Sequence, residues 1–152
     1  MKKVAVIVGS KTDKEQISKG LEILDEFGVE YKFRVLSAHR DPEALHDFVD
    51  TLNSDEYAAV IAGAGMAAAL PGCIAAQTLL PVIGVPMKGG ALNGVDALYS
   101  IVQMPKGVPV GSMAIGSSGA VNAALYAIRM MALTDKEAKD KLAKYKESIK
   151  TS

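Results

Sequence analysis

Short apolar runs that alternate with stretches of helical periodicity constrain this chain more than any other feature. Val4–Val8 is apolar without interruption and ends at Gly9. That is the pattern of a strand buried on both faces, since a strand covered on one face alternates apolar with polar residues. Beyond it Ile17, Leu21, Leu24 and Phe27 recur at helical spacing, and Gly28 supplies the stop. Tyr31–Leu36 predicts a second strand. The helix after it has Asp41 at its cap, Pro42 at its first position and an inner stripe of Leu45, Phe48, Val49 and Leu52. Ala58–Ala62 predicts a third strand, followed by a small-residue helix from Ala67 to Gln77. Pro81–Val85 predicts a fourth, then a glycine-bearing loop over 86–94 and a helix near Val95–Gln103. Val108–Ile115 predicts a fifth, and a polar turn over 116–119 leads into a helix at Ala120–Leu133. A charged amphipathic helix, Asp135–Ile149, closes the chain with Thr134 placed to cap it.

Strands and helices in alternation imply a parallel sheet with right-handed crossovers, hence an α/β three-layer sandwich forming one domain over residues 1–152. For five strands the favoured order is the flavodoxin-like 2-1-3-4-5, whose switch point lies between the first and third strands. The turns at 9–13, 37–41 and 63–70 then surround one pocket at the carboxyl edge of the sheet.

Charge narrows the partners. Lys plus Arg equal Asp plus Glu at 17 each, which argues against a nucleic acid or an anionic membrane surface as partner. No run reaches membrane-spanning length, and a lone Cys73 rules out an intramolecular disulfide framework, so a cytoplasmic location is expected. His39, His46 and Cys73 lack metal-ligand spacing, and no metal is expected.

The chemistry concentrates in Ser37-Ala38-His39-Arg40-Asp41-Pro42, at a strand-to-helix turn. Arg40 can grip an anion bidentately, and His39 exchanges protons near neutrality. Acid/base chemistry on an anionic small molecule follows. Gly9-Ser10-Lys11-Thr12-Asp13 offers hydroxyls and free N–H groups at a helix start, which suits a phosphate, and Asp13 can accept from sugar hydroxyls; equally, Thr12 or Asp13 can merely cap the helix. Gly63-Ala64-Gly65-Met66-Ala67-Ala68 formally matches the dinucleotide fingerprint, but it follows the third strand and lacks the acidic residue about twenty positions on. It reads as a glycine wall against a flat ligand, or as a close helix–sheet contact. His46, among Glu43, Asp47 and Asp50, reads as a surface residue, and Cys73 as a small packed side chain.

Six ordered blocks carry a family resemblance: Gly9–Asp13, Ser37–Arg40, Ala62–Gly65, Leu70–Gly72, Gly94–Pro105 and Gly107–Val110. Together they resemble the N5-carboxyaminoimidazole ribonucleotide mutase family of purine biosynthesis over nearly the whole chain. The resemblance implies a nucleotide-binding flavodoxin-like subunit, a homo-octamer with pockets shared between subunits, and an isomerase that moves a carboxyl group from the exocyclic nitrogen to ring carbon four without metal or cofactor. It also implies that Ser10 and Arg40 bind the 5′-phosphate, that Asp13 binds the ribose hydroxyls, and that His39 is the general acid/base. Ser37, Ala38, Gly63, Ala64, Gly65 and Leu70 complete the implied substrate-binding set. Arg40 and Ala64-Gly65 resemble the mutase branch rather than the carboxylase branch, whose turn reads Ser-Ala-His-Lys. The chain departs from the pattern Gly-Gly-Ala-Ala-His-Leu-Pro-Gly, having Met66 at the second glycine and Ala69 at the histidine. Loss of one hydrogen bond to a charged group corresponds to about 1.5–3 kcal/mol. The alternatives to the mutase are a carboxylase using free CO₂ and a nucleotide-binding paralogue without mutase activity.

Overall fold

The computed structural model describes residues 1–52 and 55–151; Asn53, Ser54 and Ser152 of the unit expected over 1–152 lie outside the described residues. Strands β1 (Lys3–Val8), β2 (Tyr31–Val35), β3 (Tyr57–Ala64), β4 (Val82–Pro86) and β5 (Gly111–Ser112) form one parallel sheet in the order β2-β1-β3-β4-β5. This is the flavodoxin-like order expected from the alternation. Among the described residues six α-helices accompany it: α1 (Lys14–Phe27), α2 (Pro42–Asp50), α3 (Leu70–Ala75), α4 (Val95–Val102), α5 (Ser117–Met131) and α6 (Lys136–Ser148).

The period-2 alternation of a strand explains the three layers. Val4, Val6 and Val8 enter a core with Ile17, Leu24, Ile61, Ala120 and Ala124, beneath α1 and α5. Ala5 and Ile7 enter a second core with Leu45, Val49, Ile74 and Ile101, beneath α2, α3 and α4. Every residue of Val4–Val8 is therefore buried. Helix α6 extends the first layer: the Tyr145 ring lies 5.5 Å from that of Phe27, and Lys141 Nζ donates to the Phe27 carbonyl at 2.7 Å.

Several boundaries differ from the sequence expectation. The small-residue helix begins at Leu70 rather than Ala67 and ends at Ala75 rather than Gln77. A start at Ala67 would set Pro71 opposite the Ala67 carbonyl with no N–H to offer, so the helix starts where Pro71 falls in its first turn. The preceding residues instead form tight turns, with Ala68 N–H donating to Met66 O and Ala69 N–H to Ala67 O. The fifth strand spans two residues rather than Val108–Ile115. Pro109 has no N–H for a ladder, and the Val108 N–H closes a turn onto the Pro105 carbonyl at 3.2 Å. Helix α5 takes in Ser117–Gly119, expected as a polar turn, as its first turn. The cap of α6 is Asp135, whose carboxylate accepts from Ala138 N–H at 3.0 Å, and not Thr134.

Candidate active site

The turns after β1, β2 and β3 do surround one cleft, of about 700 Å³, at the carboxyl edge of the sheet. Its lining includes Ser10, Asp13, Ser37, Ala38, His39, Arg40, Ala64, Gly65 and Leu70. Gly63 is the exception among the expected residues and does not line the cleft. It sits inside β3 against Val8 and Val85, and a Cβ there would run into Met87 Cε, so its small size serves packing below the cleft floor.

Ser37 opens the β2 turn and fixes Arg40 through it. The Ser37 hydroxyl accepts from Arg40 N–H at 3.1 Å and from Arg40 Nε at 3.2 Å. Arg40 Nη2 then crosses to the β1 turn and donates to the Gly9 carbonyl at 3.1 Å. The guanidinium is thus anchored at two points and keeps further N–H groups for an anion. Asp41 ends the turn by accepting from Ala44 N–H at 3.1 Å, with Pro42 in the first helical turn as expected. His39 lies exposed between these fixed neighbours, and its ring makes no hydrogen bond to any described residue. A side chain in that state is available to a ligand.

In the β1 turn, Ser10 caps a short 3-10 segment, Lys11–Asp13: its hydroxyl accepts from Thr12 N–H at 3.3 Å and lies 2.9 Å from the Thr12 hydroxyl. Asp13, at 9% exposure, is the buried charged residue of the described chain and makes no capping bond to α1. Burial raises its pKa above the ordinary carboxylate value, while the Ser10 backbone and the Arg40 guanidinium pull the other way. A half-dry carboxylate is well suited to hydroxyl donors.

The β3 wall carries no polar side chain from Ala64 to Leu70. Met66 holds φ at 53°, a left-handed conformation that favours glycine and is unusual for a methionine. Its side chain is 61% exposed and lies over Gly90. A fourth wall, from Met87 to Gly90, belongs to the 86–94 loop after β4, whose sequence fits either a cover over a ligand or ordinary packing. Gln16 of α1 pins it: the Gln16 side chain donates to the Lys88 carbonyl at 2.9 Å and accepts from Lys88 N–H at 2.8 Å. Lys88, the second residue after buried β4, followed by Gly89-Gly90, is the local signal for it. His46 lies on the solvent side of α2 as expected, its Nδ1 2.7 Å from Gln77 Oε1. Cys73 is half-buried against the second core.

Fold and cleft together define a flavodoxin-like α/β protein with a cleft at its sheet edge, lined by an imidazole and an anchored guanidinium. The chain belongs to the AIR carboxylase family, whose sequence profile matches residues 3–152. It is 50% identical over 145 residues to the N5-carboxyaminoimidazole ribonucleotide mutase of Haemophilus influenzae, covering 95% of this chain and 88% of that one. The protein of the same name from Saccharolobus solfataricus is 51% identical over 150 residues, covering 99% and 94%. Among solved structures, PurE of Treponema denticola superposes with a TM-score of 0.91 at 30% identity, covering 99% of this chain and 93% of that one.

Proposed function

We propose that this chain is an N5-carboxyaminoimidazole ribonucleotide mutase of purine biosynthesis, an isomerase with His39 as its general acid/base. The observation that carries the reading is the unpaired His39 imidazole beside an Arg40 guanidinium tied to Ser37 and Gly9. Relatives at 48–51% identity that bear this name support it. Ser10 and Arg40 bind the 5′-phosphate, where two turns offer hydroxyl and guanidinium donors. Asp13 accepts from the ribose hydroxyls. Ser37 and Ala38 shape the phosphate turn, and Ala64, Gly65 and Leu70 face the flat imidazole.

The reaction balances on one proton. Protonated His39 gives its proton to the exocyclic nitrogen, the N–C bond breaks with its electron pair returning to nitrogen, and CO₂ is released into the cleft. Ring carbon four attacks that CO₂, a C–C bond forms, and the proton displaced from carbon four passes to His39. The imidazole ends as it began. Apolar walls at Ala64–Leu70 hold CO₂ beside the ring without competing hydrogen bonds. No cofactor takes part.

Working cleft and assembly are coupled in this reading. The subunit assembles as a homo-octamer that shares its pockets between copies, in the cytoplasm. Among the described residues no helix is long and apolar enough to cross a membrane.

The test is to supply the N5-carboxylated ribonucleotide to wild-type and His39→Asn proteins and to follow the C4-carboxylated product without added bicarbonate. Turnover that collapses in the variant supports the assignment. Absence of turnover in the wild type overturns it.

A further inference from the structure

We infer that Lys88 is the counter-ion for the migrating carboxylate, a substrate-binding residue at the end of the cleft opposite Arg40; this rests on the function proposed above. The substrate carries negative charge at two places, a phosphate at one end of the ribose and a carboxyl group on the base at the other. Arg40 answers the first from the β2 turn. Nothing on the β3 wall answers the second, because Ala64 to Leu70 offers no polar side chain. Among the cleft-lining residues, Arg40, His39 and Lys88 are those that can carry positive charge.

Position supports the assignment. Lys88 follows β4 and Arg40 follows β2, and β1 and β3 lie between them. Arg40 Nη2 reaches the β1 turn at Gly9, so two strand spacings, about 10 Å, lie between the turn that anchors it and β4, with the β3 turn in the middle of the row. A ribonucleotide laid from the Arg40 anchor sets its ribose by Asp13 and its base against the β3 wall. Its carboxyl group then faces the β4 wall.

Anchoring supports it further. The Gln16 side chain holds both backbone polar groups of Lys88, at 2.8 and 2.9 Å, across a sequence separation of 72 residues. Yet the Lys88 ammonium makes no hydrogen bond or ion pair with any described residue, and Gly89 beside it has open space on its Cβ side. A fixed backbone with a free cation reduces the ordering needed when a carboxylate arrives.

The experiment titrates wild type, Lys88→Met and Lys88→Arg with two ligands: 5-aminoimidazole ribonucleotide, which has no carboxyl group, and its C4-carboxylated counterpart. Lys88→Met is expected to weaken the carboxylated ligand by about 10- to 100-fold and the other by less than about twofold. Lys88→Arg keeps the charge and the discrimination. An equal loss on both ligands, or a loss on neither, overturns the inference. Wild-type protein that binds neither ribonucleotide overturns the function proposed above, and this inference with it. Failure of the first kind leaves wild-type turnover intact, so the two are told apart.

Discussion

At the level of single residues, exposure separates chemistry from structure. His39 is exposed and has no hydrogen bond within the described chain, so His39→Asn removes a proton carrier and little else. Turnover is expected to fall by about 10²–10⁴-fold. Stability, read by denaturant titration, is expected to change by less than about 0.5 kcal/mol. Asp13 presents the opposite balance. Burial raises its pKa, so the folded state disfavours the carboxylate. The stabilising contribution of that raised pKa is complete below the ordinary carboxylate range and is lost as pH rises through the folded value. Once ionised, Asp13 is a charge that its burial disfavours. Asp13→Asn is expected to raise the Tm of the free protein near pH 7 more than near pH 4, while weakening ribonucleotide binding by about tenfold or more, since a hydroxyl-to-carboxylate bond is lost. Thermal shifts with and without ligand at the two pH values check both halves.

At the level of elements, the helix contacts decide what is tolerated. Gly20 lets α1 approach α5 so closely that a Cβ there would sit 2.6 Å from the Ala120 carbonyl oxygen. Alanine is the better helix former by about 1 kcal/mol, but overpacking against backbone costs about 1–3 kcal/mol and a carbonyl cannot rotate aside. Gly20→Ala is therefore expected to destabilise, lowering the midpoint of a denaturant titration with unchanged slope. A second link joins α2 to the end of α3. Gln77 donates to the Cys73 carbonyl, which turns its oxygen toward His46 Nδ1, while Asp50 lies 3.5 Å from Nε2. Only the protonated ring satisfies both partners, and the pKa is raised, chiefly by Gln77 and then by Asp50. Its contribution is complete below the ordinary histidine value and is lost as pH rises through the raised one. Wild type is expected to lose more Tm across that window than His46→Gln, a difference that scanning calorimetry at several pH values measures. The strand order and three walls of the cleft were legible because apolar runs and Gly or Pro signals are local. The start of α3 was legible in principle through Pro71, but the small-residue run Ala67–Ala69 masked it. The fourth wall shows locally only as Lys88-Gly89-Gly90 in the loop after β4; the Gln16–Lys88 clamp that places it joins residues 72 apart and leaves no local pattern.

At the level of the whole molecule, α4 shows a face that no described residue of the subunit covers. Its sequence, Val95–Val102, is apolar nearly all round. Ala97 and Ile101 enter the second core, while Val95, Tyr99 and Val102, one stripe at helical spacing, point outward beside exposed Leu92. A helix that is apolar on both sides is ordinarily buried on both sides. The homo-octamer proposed above predicts that a second copy covers this stripe. Tyr99 is the most exposed of its members and sits at the centre, so a charge there falls in the middle of the contact and not at its rim. Tyr99→Asp leaves Ala97 and Ile101 in place, and its circular dichroism is expected to match the wild type. Its mass by light scattering is expected to fall from that of the octamer to a smaller species. Because the proposed pockets are shared between copies, turnover is expected to fall with it. An octameric Tyr99→Asp protein would place the interface elsewhere, and a smaller species with full turnover would show that one subunit holds a complete site.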